Sequence, residues 1–122
     1  MEIYSNTIRV VDQENDTITF YAICVKRKKS LIDFILKRKP KYTLIVHELM
    51  TYQTTCGSYR EGYRCERARA ETTSIGELIS VLDELANTDY SIKVKDGDLD
   101  PSGIALKSLL TSCRNSINYC YN

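Results

Sequence analysis

The sequence predicts an α+β domain with a mainly antiparallel sheet and three helices, in the order ββαββαβα. Three observations carry this expectation. The first half is rich in β-branched and aromatic residues arranged in alternation, a helical repeat with a start signal runs from Ser74 to Asn87, and a second apolar stripe at helical spacing follows Pro101. At 122 residues the chain is too short for two cores, so one domain over 1–122 is expected.

Thr7 to Val11 and Thr17 to Val25 read as the two strands of a hairpin, with Ile18, Phe20, Ala22 and Cys24 on one face and Asp12-Gln13-Glu14-Asn15-Asp16 as the polar turn. Ser30, with Asp33 three residues on, marks the N-cap of a short helix. Its face is Leu31, Phe34 and Ile35, and it must stop before Pro40, because the residue preceding a proline is pushed out of the helical region. Lys41 to Cys56 reads as a long apolar third strand. No helical period appears from Gln53 to Thr72, and a structureless loop of about 20 residues is unusual in a compact domain. A second hairpin is therefore expected, turning at Gly57 or Gly62 and returning from Tyr63 to Glu71, with Cys65, Arg67 and Arg69 on one face. Ser74-Ile75-Gly76-Glu77 has the form of a capping box, and Ile75, Leu78, Ile79, Leu82, Leu85 and Ala86 repeat behind it. Tyr90 to Lys95 alternates as a short strand. Asp100 before Pro101 offers an N-cap and a first-turn proline, and Leu106, Leu109, Leu110, Cys113, Ile117 and Cys120 form the stripe of the last helix.

Composition narrows the function classes. Lys and Arg number 17 against 16 acids, and 43% of residues are apolar with few Gly or Pro, which excludes disordered and low-complexity chains. No apolar run reaches the roughly 18 to 20 residues of a bilayer span, and Met1-Glu2-Ile3-Tyr4 does not open a signal peptide, so a cytoplasmic address and no membrane partner are expected. Five cysteines without a secretion signal suggest reduced thiols, with Cys24, Cys113 and Cys120 as small buried hydrophobes.

Catalytic and metal patterns are sparse. His47 is the single histidine, and a Cys56 nucleophile beside it would have no marked oxyanion hole or orienting partner. The cysteine spacings exceed those of structural zinc sites. Asp96, Asp98 and Asp100 open like a calcium loop but meet Pro101 where glycine is needed and Lys107 where glutamate is needed. No enzyme activity, metal or cofactor is expected.

Arginine and tyrosine clustering stands out instead. Four of the eight arginines, Arg60, Arg64, Arg67 and Arg69, lie close together with Tyr59 and Tyr63 between them. A guanidinium grips phosphate oxygens bidentately and a phenol ring stacks on a base, so the set suits a nucleotide. A solvated hairpin face with Glu61, Glu66 and Glu71 pairing the arginines fits the same residues. A second basic stretch, Lys26, Arg27, Lys28, Lys29, Lys37, Arg38, Lys39 and Lys41, is offset only by Asp33, while Glu77 to Asp100 carries seven acids and two lysines. Such bipolar molecules can associate through complementary patches.

In size, in its strand-rich first half, and in the stretch Tyr52-Gln53-Thr54-Thr55-Cys56-Gly57-Ser58-Tyr59-Arg60-Glu61-Gly62-Tyr63-Arg64, the chain resembles the small phage proteins that defeat Thoeris immunity by soaking up its nucleotide signal. The resemblance implies an oligomeric sponge built from dimers, binding cyclic ADP-ribose isomers at subunit interfaces without cleaving them, with cyclic oligonucleotides at separate sites. It would place the protein in the host cytoplasm. Residue chemistry names the candidate contacts: Arg60, Arg64 and Arg67 on phosphates or ribose hydroxyls, Tyr59 and Tyr63 around the base, and Arg27, Lys28 or Arg114 completing the pocket. These guanidinium and phenol groups are expected to converge on one cavity. The alternatives are a protein-inhibitory module, such as an anti-CRISPR or immunity protein, and a nucleic-acid-binding protein.

Overall fold

The computed structural model describes residues 1–12, 16–53, 57, 59–87 and 101–121. Four strands, β1 (Glu2–Asp12), β2 (Thr17–Lys28), β3 (Lys41–Gln53) and β4 (Tyr59–Thr72), lie side by side in chain order, each antiparallel to the next. α1 (Leu31–Ile35) interrupts the β2–β3 connection, and α2 (Ile75–Asn87) and α3 (Pro101–Tyr121) follow the sheet. The fold is α+β in the order ββαββαα. The strand expected at Tyr90–Lys95 and the Asp96–Asp100 stretch lie outside the described residues.

One face of the sheet is covered by the two long helices, α2 over β3 and β4 and α3 over β1 and β2. Side chains alternate across a strand, so the phase of each strand decides what is buried. Tyr21, Ile23 and Val25 of β2 and Tyr42, Leu44 and Val46 of β3 point to the helices and meet Leu78, Leu82, Leu106, Leu109, Leu110, Cys113 and Ile117 in one core. The register pairs Ile23 with Val46 and Val25 with Leu44, which stacks these side chains in rows. Ile18, Phe20, Ala22 and Cys24 share a face as expected, but it is the opposite one, where they stay half exposed beside Ile45 and Leu49. Both phases of β2 are apolar, and only the helices decide between them.

Half of the capping box expected for α2 forms: Ser74 Oγ accepts from Glu77 N at 3.2 Å, but the Glu77 carboxylate accepts from Thr73 N at 3.1 Å, one residue before the cap. α3 begins at Pro101, whose missing N–H costs nothing there. Cys113 is buried, Cys24 half-buried and Cys120 exposed, and all three are free thiols. The expectation of burial is thereby corrected for two of the three: Cys120 lies near the end of α3, beyond the stripe that meets the sheet, and Cys24 lies on the sheet face away from the helices.

The second hairpin departs from expectation at three points. β4 starts at Tyr59, four residues early, because Gly62 is taken into the strand at an irregularity between the Met50 and Thr51 pairings. A side chain at Gly62 would collide with the Met50 methyl and crowd Tyr52. A second irregularity inserts Arg67 between the Glu66–His47 and Ala68–Val46 pairs. An inserted residue reverses the phase of everything beyond it. Cys65 therefore turns to the helix side, where it meets Glu48, while Arg69 turns to the open side and donates two hydrogen bonds to Glu66, at 2.9 and 2.7 Å.

α1 has the expected cap but not the expected burial. Ser30 Oγ accepts from Asp33 N at 3.1 Å, and Asp33 Oδ2 accepts from Ser30 N at 3.3 Å. At the other end Arg38 N donates to Asp33 O and Lys37 N to Phe34 O, with Lys37 at φ 56°, the left-handed closure usually given to glycine. Its apolar residues contact no other helix or strand among the described residues.

Candidate functional site

Alternation along β4 distributes the arginine and tyrosine cluster over both faces of the sheet, so its members do not converge on one cavity. Arg64, opposite Leu49, lies on the open face, whereas its neighbour Tyr63, opposite Met50, lies on the helix side with Cys65 and the inserted Arg67. Arg60 stands exposed opposite Tyr52, and Tyr59 pairs with Gln53 at the start of the strand. Cys56 lies outside the described residues, so the pairing with His47 weighed above does too.

On the helix side the organiser is Glu48, 4% exposed and the one buried carboxylate among the described residues. It extends the phase of Tyr42, Leu44 and Val46 by one position. Tyr63 donates its hydroxyl to Glu48 Oε2 at 2.7 Å, Cys65 Sγ approaches the same oxygen at 3.6 Å, and the Arg67 guanidinium stands 3.9 Å away. Tyr21, directly across the β2–β3 pairing, also donates to it. Burial pushes the Glu48 carboxyl up, but the hydrogen bonds from Tyr21 and Tyr63, the Arg67 charge and the Cys65 thiol more than offset it and leave it below the ordinary value. Burial together with that carboxylate pushes the Tyr63 phenol up to about 12 and raises the Cys65 thiol. A thiol raised in this way is a poor nucleophile at neutral pH. The cluster is a set of donors spent on one anion, and it fixes the positions of Tyr63 and Arg67.

The open face offers a different arrangement. Phe20, Ala22, Leu49 and Arg64, with His47 and Glu48, line a depression of 260 Å³. Phe20, Ala22 and Leu49 supply an apolar floor, His47 stands exposed at the rim, and the Arg64 guanidinium is held loosely by Glu61 at 3.4 Å. An apolar floor beside an exposed cation suits a flat ring carrying an anionic group. The volume falls short of the ~300–1,000 Å³ typical of enclosed small-molecule sites, so this surface holds part of such a ligand and leaves the rest uncovered.

The remaining expected contacts lie elsewhere. Arg27 pairs with Tyr42 and Lys28 with Lys41, at the far end of the sheet from Tyr63, roughly 25 Å away at ~3.3 Å per residue. Arg27, Lys28 and Lys29 line their own depression of 300 Å³ with Met1. Arg114 donates to Asp83 at 3.2 Å and ties α3 to α2. Within one chain neither group completes the surface around Arg64.

Phe20, His47, Glu48 and Leu49 were absent from the residues expected by sequence. A signal for Glu48 was present, since it is a lone acid in the apolar run from Leu44 to Met50 and shares the phase of the core residues. Phe20 and Leu49 read simply as apolar strand residues. No family model, curated protein or solved structure matches this chain.

Proposed function

We propose that the protein binds a cyclic nucleotide immune signal, a cyclic ADP-ribose isomer or a cyclic oligonucleotide, without turning it over, and so blunts an antiphage defence. The observation that supports this most directly is Arg64 beside the apolar floor of Phe20, Ala22 and Leu49 on a sheet face that the helices leave open. The base would lie on the floor, with His47 at its edge, and a phosphate would meet Arg64. The 260 Å³ depression accommodates part of such a ligand, so a second copy of the chain covers the remainder in this reading. Sequestration needs enclosure and tight contact but no activated nucleophile. Tyr63 and Arg67, held behind the sheet by Glu48, stiffen the strand that carries Arg64.

Isothermal calorimetry against cyclic ADP-ribose isomers and cyclic dinucleotides tests this reading, with mass spectrometry of the ligand released by heating. Binding with recovery of the intact compound is the expected result. Folded protein that gives no heat with any of them, or releases a cleaved product, refutes it.

A further inference from the structure

The β2–β3 connection combines fixed geometry with exposed apolar surface. α1 spans only five residues, too few to be stable alone, yet it is closed at its start by the Ser30–Asp33 capping box and at its end by the Arg38 N–Asp33 O and Lys37 N–Phe34 O bonds. Among the described residues, the order so imposed packs α1 against no other helix or strand. Leu31, Ile32, Phe34, Ile35 and Leu36 are 75%, 64%, 69%, 67% and 54% exposed, five large apolar side chains in six positions. A contiguous exposed patch of this kind marks a surface meant to be covered.

Charge says by what. The eight cations from Lys26 to Lys41 flank this tip, and the one acid in that range, Asp33, is taken by Ser30 and by Arg38 at 3.6 Å. Lys28 and Lys41 stand directly opposite each other where β2 and β3 meet the connection. Like charges in that position repel, and an external anion relieves them. Such a patch facing its own copy would set cation against cation, which disfavours a symmetric self-contact.

We propose that this tip docks on an anionic lipid surface. Phe34, Ile35 and their apolar neighbours enter the boundary between headgroups and acyl chains, and the flanking lysines and arginines lie at the level of the lipid phosphates. All five apolar side chains stand exposed together on a connection that meets no other helix or strand among the described residues, so a planar interface can reach them at once. The expectation of no membrane partner rested on the lack of a spanning segment. An interfacial contact needs only a few apolar side chains and a basic collar. This inference is independent of nucleotide binding.

The chain contains no tryptophan, so Phe34→Trp creates a single fluorescent probe at the tip. With vesicles containing about one-third phosphatidylserine, its emission should shift to the blue and the wild-type protein should co-sediment. Pure phosphatidylcholine vesicles should do neither, and binding should fall several-fold between about 0.1 and 0.5 M salt. Phe34→Asp should cut vesicle binding by about 10-fold or more. Its thermal melt and nucleotide binding should match the wild type, because among the described residues Phe34 contacts no other helix or strand and its ring meets only the exposed Lys29 ammonium, 5.5 Å from the ring centre. Failure of the wild type to bind anionic vesicles overturns the proposal, as does binding that Phe34→Asp leaves intact. Self-association or capture of an acidic protein, lost on the same substitution and without vesicle binding, reassigns the patch and overturns it equally.

Discussion

Replacing Glu48 with glutamine removes one negative charge from the centre of the helix-side cluster while keeping the side chain's shape and one acceptor oxygen. Glu48 receives hydroxyl donors from Tyr63 at 2.7 Å and from Tyr21, and faces Arg67 at 3.9 Å. Hydrogen bonds to a charged group contribute about 1.5–3 kcal/mol each against about 1 for neutral pairs, so converting two of them should cost on the order of 2 kcal/mol near neutral pH. The sign of the pH dependence follows from the depressed Glu48 carboxyl. A carboxylate held below its unfolded value contributes stability that is present above that value and is lost as pH falls through the folded one. Urea denaturation of both proteins, from pH 7 down to about 3, should therefore show a gap that narrows as the wild-type carboxylate is protonated. Tyr63 supplies a second readout: its phenol, raised to about 12 by burial and then by the Glu48 carboxylate, should ionise at lower pH in Glu48→Gln, visible as earlier phenolate absorbance and missing in Tyr63→Phe. A stability gap constant over the whole pH range, or a Tyr63 titration that does not move, would refute the account of the cluster.

Arg64→Ala should weaken nucleotide binding in calorimetry by about 10-fold or more. It should change stability by less than about 0.5 kcal/mol, because the side chain is exposed and its pairing with Glu61 lies at the surface. Arg114→Ala should leave nucleotide affinity unchanged and cost under about 1 kcal/mol in the urea midpoint, since Arg114 is engaged with Asp83 between α2 and α3. Leu82→Ala, at a fully buried position between sheet and helices, should cost about 2–5 kcal/mol with an unchanged urea slope.

Local chemistry made much of this fold legible. Ser74 and Glu77 announce α2, Pro101 announces α3, and the β-branched and aromatic residues of β2 and β3 announce strands, because each signal acts within a few residues. What depends on distant partners was not legible. β2 is apolar on both faces, so Tyr21, Ile23 and Val25 could not be told from Ile18, Phe20 and Ala22 until α2 and α3 chose a side. The insertion at Arg67 changes the phase of β4 without any distinctive residue to mark it and separates Cys65 from Arg69, whereas Tyr63 parts from Arg64 simply because neighbours along a strand face opposite ways. α1 carries an apolar face that normally implies packing, but α2 and α3 cover the sheet and among the described residues α1 meets no other element. The candidate site was legible in its cation, Arg64, and not in its floor, which β2 and β3 assemble across the sheet.

β4 borders the sheet with fourteen residues, and among the described residues no strand lies beside its outer backbone groups. A flat, apolar border of that length would recruit strands from other molecules and seed fibres. The two inserted kinks and the run of Arg60, Glu61, Arg64, Glu66, Arg67, Arg69 and Glu71 make it a poor template. The same guanidinium groups that draw attention as phosphate contacts thus also keep molecules from zipping together. Stripping several at once would precipitate the protein, and lost ligand binding would then report aggregation, so their contributions have to be measured one residue at a time.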